Sequence, residues 1–251
     1  MNIVRSGRPR VAEFWFDEPV AGRGADLAIL RQVKSPPARS HFVQPFQTLV
    51  IDLGQEEDQL FGALHKETRQ EIRRARDKDL LRYELFEQPT PDCVASFCAA
   101  HAHFAGLKRL QAATVPQLMS HADAGSLRLA RAVADDGTLV WHSFVAVGGR
   151  ARGLHSAPRY RPEDRALSHR VGRANRFLHW HNMIQFKQQG HETYDMGGWY
   201  AGTSDPALVS VNQFKASFGG TVVTEYNCIR PLSWLGHAYM RLKYGRPGSP
   251  A

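Results

Sequence analysis

The chain has 251 residues, of which 43% are hydrophobic and 22% are charged, and this composition excludes an intrinsically disordered protein. Its 32 Lys and Arg residues against 24 Asp and Glu residues give a formal net charge of +8. That charge favours an anionic partner such as nucleic acid, a membrane surface or a phosphate-bearing ligand, although a solvated basic surface explains it equally well. The sequence has no apolar run near ~18 residues, no signal-peptide core and an odd set of cysteines. We therefore expect a cytoplasmic protein without stable membrane insertion, and a peripheral position at the inner membrane stays open.

The first part of the chain predicts strands at 11–16 and 46–53 and a long helix over 55–78. An apolar face of that helix carries Leu60, Leu64 and Ile72. Another face carries a basic stripe, which indicates either an anion-binding surface or a solvated face: His65, Arg69, Arg73 and Arg76.

The rest of the chain alternates strand and helix patterns. A meander of three strands stands between helices, and a last strand and helix follow it. This order predicts an α+β fold with a mixed, mostly antiparallel sheet flanked by helices. We expect an N-terminal strand and loop section over 1–54, one domain over 55–244 and a frayed tail over 245–251. The predicted strands are 81–87, 126–134, 138–148, 150–158, 192–196 and 220–229, and the helices are 91–105, 115–122, 168–189 and 232–243.

No segment predicts a metal site. The His-x-His pairs at 101–103 and 179–181 lie in predicted helices, where residues two apart point about 200° away from each other. We interpret these histidines as ordinary members of polar helix faces. No strand is followed by GxGxxG, and no GxSxG, HExxH or P-loop pattern is present, so a dinucleotide fold and those hydrolase chemistries are not expected.

The start of the helix 168–189 predicts an anion site. Gly172 and Ala174 are small residues near free backbone N–H groups, where a phosphate can come close. Arg170 and Arg173 add positive charge there, which a bound anion would offset. The alternative is that Gly172 simply begins a helix.

A second candidate site combines YDMGGWY (194–200) with VNQFKASFGG (211–220). Asp195 and two glycines end a strand, and Lys215 lies on a short helix. Lys215 can stabilise a developing oxyanion or hold a phosphate. The alternative is structural: Asp195 caps a turn and pairs with Lys215.

These segments carry a resemblance to a known family. LHWHNMIQFKQQGHETYDMGG (178–198), followed by QFKASFGG (213–220), resembles the C-terminal half of the Fem-type acyltransferases of the GNAT superfamily. The stretch 48–80 is similar to that family's opening strand and basic helix, so the resemblance covers 48–80 and 138–228. Fem-type enzymes transfer amino acids from aminoacyl-tRNA, and single-domain relatives resemble acyl-CoA-dependent enzymes of envelope polysaccharide synthesis. The family carries two tandem GNAT units, and this chain has room for one.

The resemblance implies roles for individual residues. Phe214 and Lys215 are expected at the acyl-transfer centre, with Asp195 at the cleft edge. The family's pyrophosphate motif aligns with His169, which stands in place of Arg or Gln, and with Gly172 and Ala174. We also consider His155 as the proton acceptor. The predicted cofactor-binding residues are His169, Arg170, Gly172, Arg173 and Ala174, and the predicted substrate-binding residues are Arg69, Arg73, Gly197, Gly198, Trp199 and Tyr200.

Three functions follow. The first is an N-acyltransferase that uses acyl-CoA as donor, no metal, and an amine on an amino sugar or another glycan precursor as acceptor. The second keeps the fold and takes aminoacyl-tRNA as donor, which the net charge and the basic stripe favour. The third is a non-catalytic module that binds nucleic acid or a membrane surface. The oligomeric state stays open.

Overall fold

The computed structural model describes residues 3–5, 7–20, 24–159 and 163–244. The chain forms two compact units, Met1–Thr48 with Val222–Ala251, and Leu49–Thr221. The strands are β1 (Ile3–Arg5), β2 (Val11–Trp15), β3 (Leu27–Val33), β4 (Phe42–Asp52), β5 (Arg82–Phe86), β6 (Leu127–Ala134), β7 (Gly137–Val147), β8 (Arg150–Pro158), β9 (Thr193–Gly198) and β10 (Thr221–Pro231). The helices are α1 (Glu57–Ala63), α2 (Lys66–Asp77), α3 (Pro91–Lys108), α4 (Val115–Asp123), α5 (Arg165–Gln188), α6 (Pro206–Ala216) and α7 (Trp234–Tyr244).

The unit Leu49–Thr221 is built on strands in the order β4-β9-β8-β7-β6-β5. The pairs from β5 to β8 are antiparallel, and β8 pairs with β9 in parallel. Alternate residues of β6 serve opposite faces, as expected for a strand covered on both sides. Ala130 and Ala132 pack with residues of α5, whereas Leu127 and Leu129 pack with α3 and α4. Helices therefore cover both faces of this sheet.

The unit formed by the two chain ends has a smaller core. Strand β2 lies parallel to β3, and β10 pairs with β3 in the antiparallel sense. Phe14, Leu30 and Cys228 are buried in its apolar cluster. Helix α7 packs closely at Gly236, where a Cβ atom would lie 2.0 Å from the Asp26 carbonyl oxygen. This packing brings α7 against the N-terminal section within the same unit.

The predicted fold class is confirmed, and most predicted elements agree with the structure to within a few residues. Strand β3 is an element that sequence patterning misses. The assignment of 55–244 as one acyltransferase domain stays a prediction, and the tail 245–251 lies outside the described residues. Within the described ranges, no helix is long and apolar enough to cross a membrane.

The prediction of one helix over 55–78 is wrong, because α1 ends at Ala63 and α2 begins at Lys66. Leu64 and His65 have extended backbone angles, with ψ of 145° and 148°. The Leu64 side chain is buried, and the His65 N–H donates to the Ser217 carbonyl oxygen at 2.9 Å. Tertiary packing thus breaks the helix, and His65 leaves the basic stripe to precede α2.

The predicted start of the helix 168–189 is also wrong. Helix α5 begins at Arg165, and the Asp164 side chain caps it by accepting the Leu167 N–H at 2.8 Å. Gly172 and Ala174 therefore lie two turns inside the helix. Backbone N–H groups at such positions bond the carbonyl four residues earlier and are not free for an anion.

Candidate functional site

A cavity of about 430 Å³ opens in the unit Leu49–Thr221 where strands β8 and β9 part. The two strands pair only from Arg150–Thr193 to Arg152–Asp195. Beyond those pairs, residues of both strands line the cavity. The remaining walls come from β7, α3, α5 and α6.

Two local features separate the strands. In β8 the register against β7 shifts between Ser143 and Phe144, which leaves Leu154 as the extra residue of a bulge. Bulges bend a strand and redirect its side chains. In β9, Gly197 has φ of +77°, and a Cβ atom there would lie only 3.0 Å from the Gly153 carbonyl oxygen. Glycine is required at this position by conformation and by space.

Asp195 anchors the floor of the cavity and is fully buried. The Arg150 guanidinium donates to its Oδ2 atom from Nη2 at 2.6 Å and from Nε at 3.1 Å. The Gly197 N–H donates to Oδ1 at 2.7 Å. The predicted turn cap is therefore confirmed, and the main charge partner of Asp195 is Arg150, which sequence reasoning missed.

Lys215 reaches the cavity from α6. Its ammonium donates to the Gly197 carbonyl oxygen at 3.1 Å and to the Gly198 carbonyl oxygen. Burial, and then the nearby Arg152 guanidinium, lowers the pKa of Lys215 to about 8, while Asp195 opposes the shift. An ammonium has three N–H donors. Counting described residues alone, one donor remains for a group inside the cavity.

Hydrogen bonds from a side-chain amide hold helix α6 against the loop after β9. The Asn212 side chain accepts the Tyr200 N–H at 3.1 Å and donates to the Tyr200 carbonyl oxygen at 2.8 Å. Asp205 caps the start of the helix by accepting two backbone N–H groups. Asn212 thus ties the helix that carries Lys215 to the loop after β9.

His155 lies in the cavity wall, and its Nδ1 atom is 3.1 Å from the buried Ser143 hydroxyl. Burial, followed by neighbouring His101, lowers the pKa of His155 to about 4. Its imidazole is therefore neutral at pH 7. A base with so low a pKa accepts hydrogen bonds well but takes up a proton weakly.

A buried polar network extends from residues of this wall into the core. His142 contacts Asn175 Oδ1 through Nε2 at 2.7 Å and Asn182 Nδ2 through Nδ1 at 3.2 Å. These partners fit a neutral imidazole that carries its proton on Nε2. The Tyr83 hydroxyl completes the chain by donating to Asn182 at 2.9 Å. Burial lowers the pKa of His142 to about 4.

His179, which the sequence analysis places on a polar helix face, has a further role in the cavity wall. Its ring lines the cavity, and Nδ1 lies 2.7 Å from the Tyr194 hydroxyl. Burial holds the pKa of His179 well below its ordinary value, and the neighbouring His142 adds to that effect. Asn175, His179 and Asn182 stand at i, i+4 and i+7 in α5. This polar stripe is the sequence signal that could have revealed the network.

The structure does not bring the predicted phosphate-binding residues to the cavity wall. His169 is exposed, and Ala174 is fully buried against β6. Arg170 donates to Asp136 at 2.9 Å, and Arg173 donates to Asp79 at 2.6 and 2.9 Å. The Gly172 carbonyl oxygen accepts from Arg176 at 3.0 Å.

The predicted substrate-binding residues divide into two groups. Gly197 and Gly198 line the cavity. The Arg69 guanidinium instead donates to the Gly62 and Leu64 carbonyl oxygens, both at 2.7 Å, and Arg73 lies over the Phe61 ring. Outside the wall, Trp199 packs against the apolar core, and the Tyr200 hydroxyl lies 3.1 Å from Ser204. Within the described part of the chain, no three His, Cys, Asp or Glu residues form a metal site.

Comparisons with known proteins agree on the fold. No family model and no curated protein matches the sequence. The structure is similar to FemX, at 11% identity, over 89% of this chain and 75% of that chain, with a TM-score of 0.63. It is also similar to the C-terminal domain of a protein described as a lysylphosphatidylglycerol synthetase from Agrobacterium fabrum, at 17% identity, over 96% and 84%, with a TM-score of 0.55. L-PGS from Bacillus licheniformis matches at 12% identity, over 98% and 85%, with a TM-score of 0.53. The predicted resemblance to Fem-type proteins is thus confirmed in the fold.

Proposed function

We propose that this protein is an N-acyltransferase that moves an acyl group from an activated donor to an amine acceptor. One observation carries the proposal: the Lys215 ammonium is fixed by two backbone carbonyls at the wall of a cavity formed where β8 and β9 part. A positively charged hydrogen-bond donor that is held in place at such a wall can stabilise an oxyanion without rearranging.

The reaction that suits this site is an addition followed by an elimination. The acceptor amine attacks the acyl carbonyl carbon, a C–N bond forms, and the carbonyl oxygen becomes an oxyanion that the remaining N–H of Lys215 binds. The oxyanion then collapses, and the C–S or C–O bond to the donor breaks. The leaving group takes the proton that the amine gives up. The cavity supplies orientation, and Lys215 supplies electrostatic support.

The local charges also favour the reactive form of the acceptor. Positive neighbours disfavour a second cation, so Arg152 and Lys215 lower the pKa of an amine bound beside them. Such an amine enters as the free base, which is the nucleophile. His155, neutral at pH 7, is our candidate acceptor of a hydrogen bond from that amine. A strong general base is then unnecessary.

For the donor we favour acyl-CoA, with an amino sugar or another envelope polysaccharide precursor as acceptor. The sequence predicts the donor phosphates at residues 169–174, but we do not place them there, because Arg170 and Arg173 already have acidic partners. The domain 55–244 is the proposed catalytic domain, and a cytoplasmic location with peripheral association at the inner membrane agrees with such a substrate.

The proposal is tested by thermal unfolding with acetyl-CoA, longer acyl-CoAs and bulk aminoacyl-tRNA. A ligand at about 100 times its Kd adds about 2.7 kcal/mol to the free energy of unfolding. For a chain of this size, that raises Tm by several degrees. We expect a rise with at least one acyl-CoA. No rise with any donor would contradict the proposal and support a non-catalytic binding module.

Aminoacyl-tRNA is the second candidate donor. It is favoured by the net charge of +8 and by similarity to a structure whose name gives an aminoacyl product, lysylphosphatidylglycerol. A tRNA complex depends steeply on salt, because each phosphate contact releases counterions. This alternative therefore predicts a Tm rise with aminoacyl-tRNA alone, which disappears between about 50 and 200 mM salt.

A further inference from the structure

We infer that the cavity rejects cationic acyl groups and selects uncharged, apolar ones. The inference rests on the proposed function, since it concerns the acyl group which that function transfers. It follows from the charges and apolar surfaces that line the cavity.

The charged side chains of the wall leave nothing to pair with an ammonium. Two of them, Arg152 and Lys215, are cations. Among the described lining residues, Asp195 is the sole acid, and its two oxygens already accept hydrogen bonds from Arg150 and from the Gly197 N–H. A cationic acyl group would therefore meet two positive charges and a carboxylate whose negative charge Arg150 already compensates.

The three histidines of the wall do not change this balance. Burial is the main cause that lowers the pKa of His142, His155 and His179. Their rings are neutral at pH 7 and bring no negative charge. The lone pair of His142 Nδ1 already accepts from Asn182.

Two aromatic rings of the wall already have partners. The ring of Phe214 is covered by the Arg176 guanidinium, 5.2 Å from its centroid. The ring of Phe144 packs edge-to-face with Phe186 and His142. These rings, together with Leu154 and Val211, offer apolar surface instead. An alkyl chain gains free energy when buried there, whereas an unpaired ammonium loses its hydration without compensation.

Two pairs of donors test the inference, one for each donor class. Hexanoyl-CoA and 6-aminohexanoyl-CoA differ by a terminal ammonium. Leucyl-tRNA and lysyl-tRNA share an α-amino group and differ by the ammonium of the lysyl side chain. Binding to the full-length protein is measured by calorimetry at pH 7. We expect the member without the terminal ammonium in the productive pair to bind about tenfold more tightly or better, since that ammonium meets two cations and no carboxylate left to compensate it. Equal or tighter binding of the cationic member overturns the inference and leaves the proposed function intact. No binding in either pair overturns the proposed function itself.

Charge variants then identify the cause. Ser156→Asp and Ser210→Asp each add a carboxylate to the wall, and Ser96→Asp adds the same charge on the exposed surface of α3. Ser210 is exposed, so its variant is expected to fold even if Ser156→Asp does not. The preference for the donor without the terminal ammonium should fall about tenfold in the wall variants and stay unchanged in Ser96→Asp. An unchanged preference in both wall variants would overturn the electrostatic account.

Discussion

The cavity around Lys215 and the first turns of α5 are both rich in charge, yet they differ in how that charge is used. In the cavity, Lys215 borders open volume, and one of its N–H donors has no acceptor among the described residues and remains for a ligand. In α5, Arg170 and Arg173 each have a carboxylate partner. A basic cluster in a sequence therefore indicates a binding site only where the fold leaves its donors unsatisfied.

The largest expected effect comes from removing the buried ion pair between Arg150 and Asp195. Its side chains are 12% and 0% exposed, whereas those of Arg170–Asp136 are 29% and 50% exposed. Arg150→Met removes two guanidinium hydrogen bonds from a buried carboxylate and should lower the free energy of unfolding by about 3–5 kcal/mol. Arg170→Met, the matched surface change, should cost about 0–1 kcal/mol. Urea unfolding measures both, and equal losses would show that Asp195 does not depend on Arg150.

Two lysines that donate to backbone carbonyls offer the next test. Lys215 donates to Gly197 and Gly198 inside the cavity, and Lys187 donates to the Leu53 carbonyl oxygen at 2.9 Å outside it. Lys215→Met should lower kcat/KM by roughly 10²–10³-fold, the usual effect of removing one oxyanion donor. Lys187→Met should leave kcat/KM nearly unchanged. Similar losses in both variants would mean that the lysines act through stability alone.

Two glycines with positive φ allow the cost of a left-handed backbone to be measured apart from the steric cost of an added Cβ atom. Gly197 and Gly190 have φ of +77° and +83°, but a Cβ atom meets the Gly153 carbonyl at 3.0 Å in the first case and nothing within 4 Å in the second. Each alanine variant should lose about 1–2 kcal/mol from the left-handed backbone. Gly197→Ala should lose more and should also lower activity. Thermal unfolding and the transfer rate check this, and equal stabilities would remove the steric argument.

The pH dependence reports on Lys215 directly. Its folded pKa of about 8 lies below the ordinary 10.5, so the unfolded chain binds more protons between these values. The free energy of unfolding of the wild type should thus rise from pH 8 to 10.5 relative to Lys215→Met. If the ammonium is the catalytic form, kcat/KM falls above pH 8, and Lys215→Arg shifts that fall to higher pH because a guanidinium stays protonated. A rate that keeps rising through pH 9 in the wild type would instead make Lys215 a base.

The smallest expected effect concerns α5. Arg173→Met removes the pair with Asp79, whose side chain is 12% exposed, and should cost about 1 kcal/mol of stability. The geometry predicts an unchanged Kd for the donor in this variant, measured by calorimetry. A Kd that rises several-fold would restore 169–174 as the donor phosphate site.

The fold class and the meander can be predicted from the sequence alone. So can the proximity of the YDMGG segment to the helix that carries Lys215. The sequence is not sufficient to predict the break at Leu64 and His65, because the apolar period runs through that break and only the contact with Ser217 reveals it. Arg150 and Asn182 are missed because each acts on a residue far away in the chain, Asp195 and His142. Local patterns predict elements, whereas partners brought together by the sheet need the structure.

The most direct test of the account follows the products of transfer. The protein is incubated with hexanoyl-CoA and a set of amino sugars, and mass spectrometry detects the acylated amine while a thiol reagent counts the released CoA. We expect one thiol for each amide in the wild type and in Lys187→Met, and almost none in Lys215→Met. Thiol release without an amide, or undiminished transfer by Lys215→Met, would contradict the assignment of the cavity as an acyl-transfer site centred on Lys215.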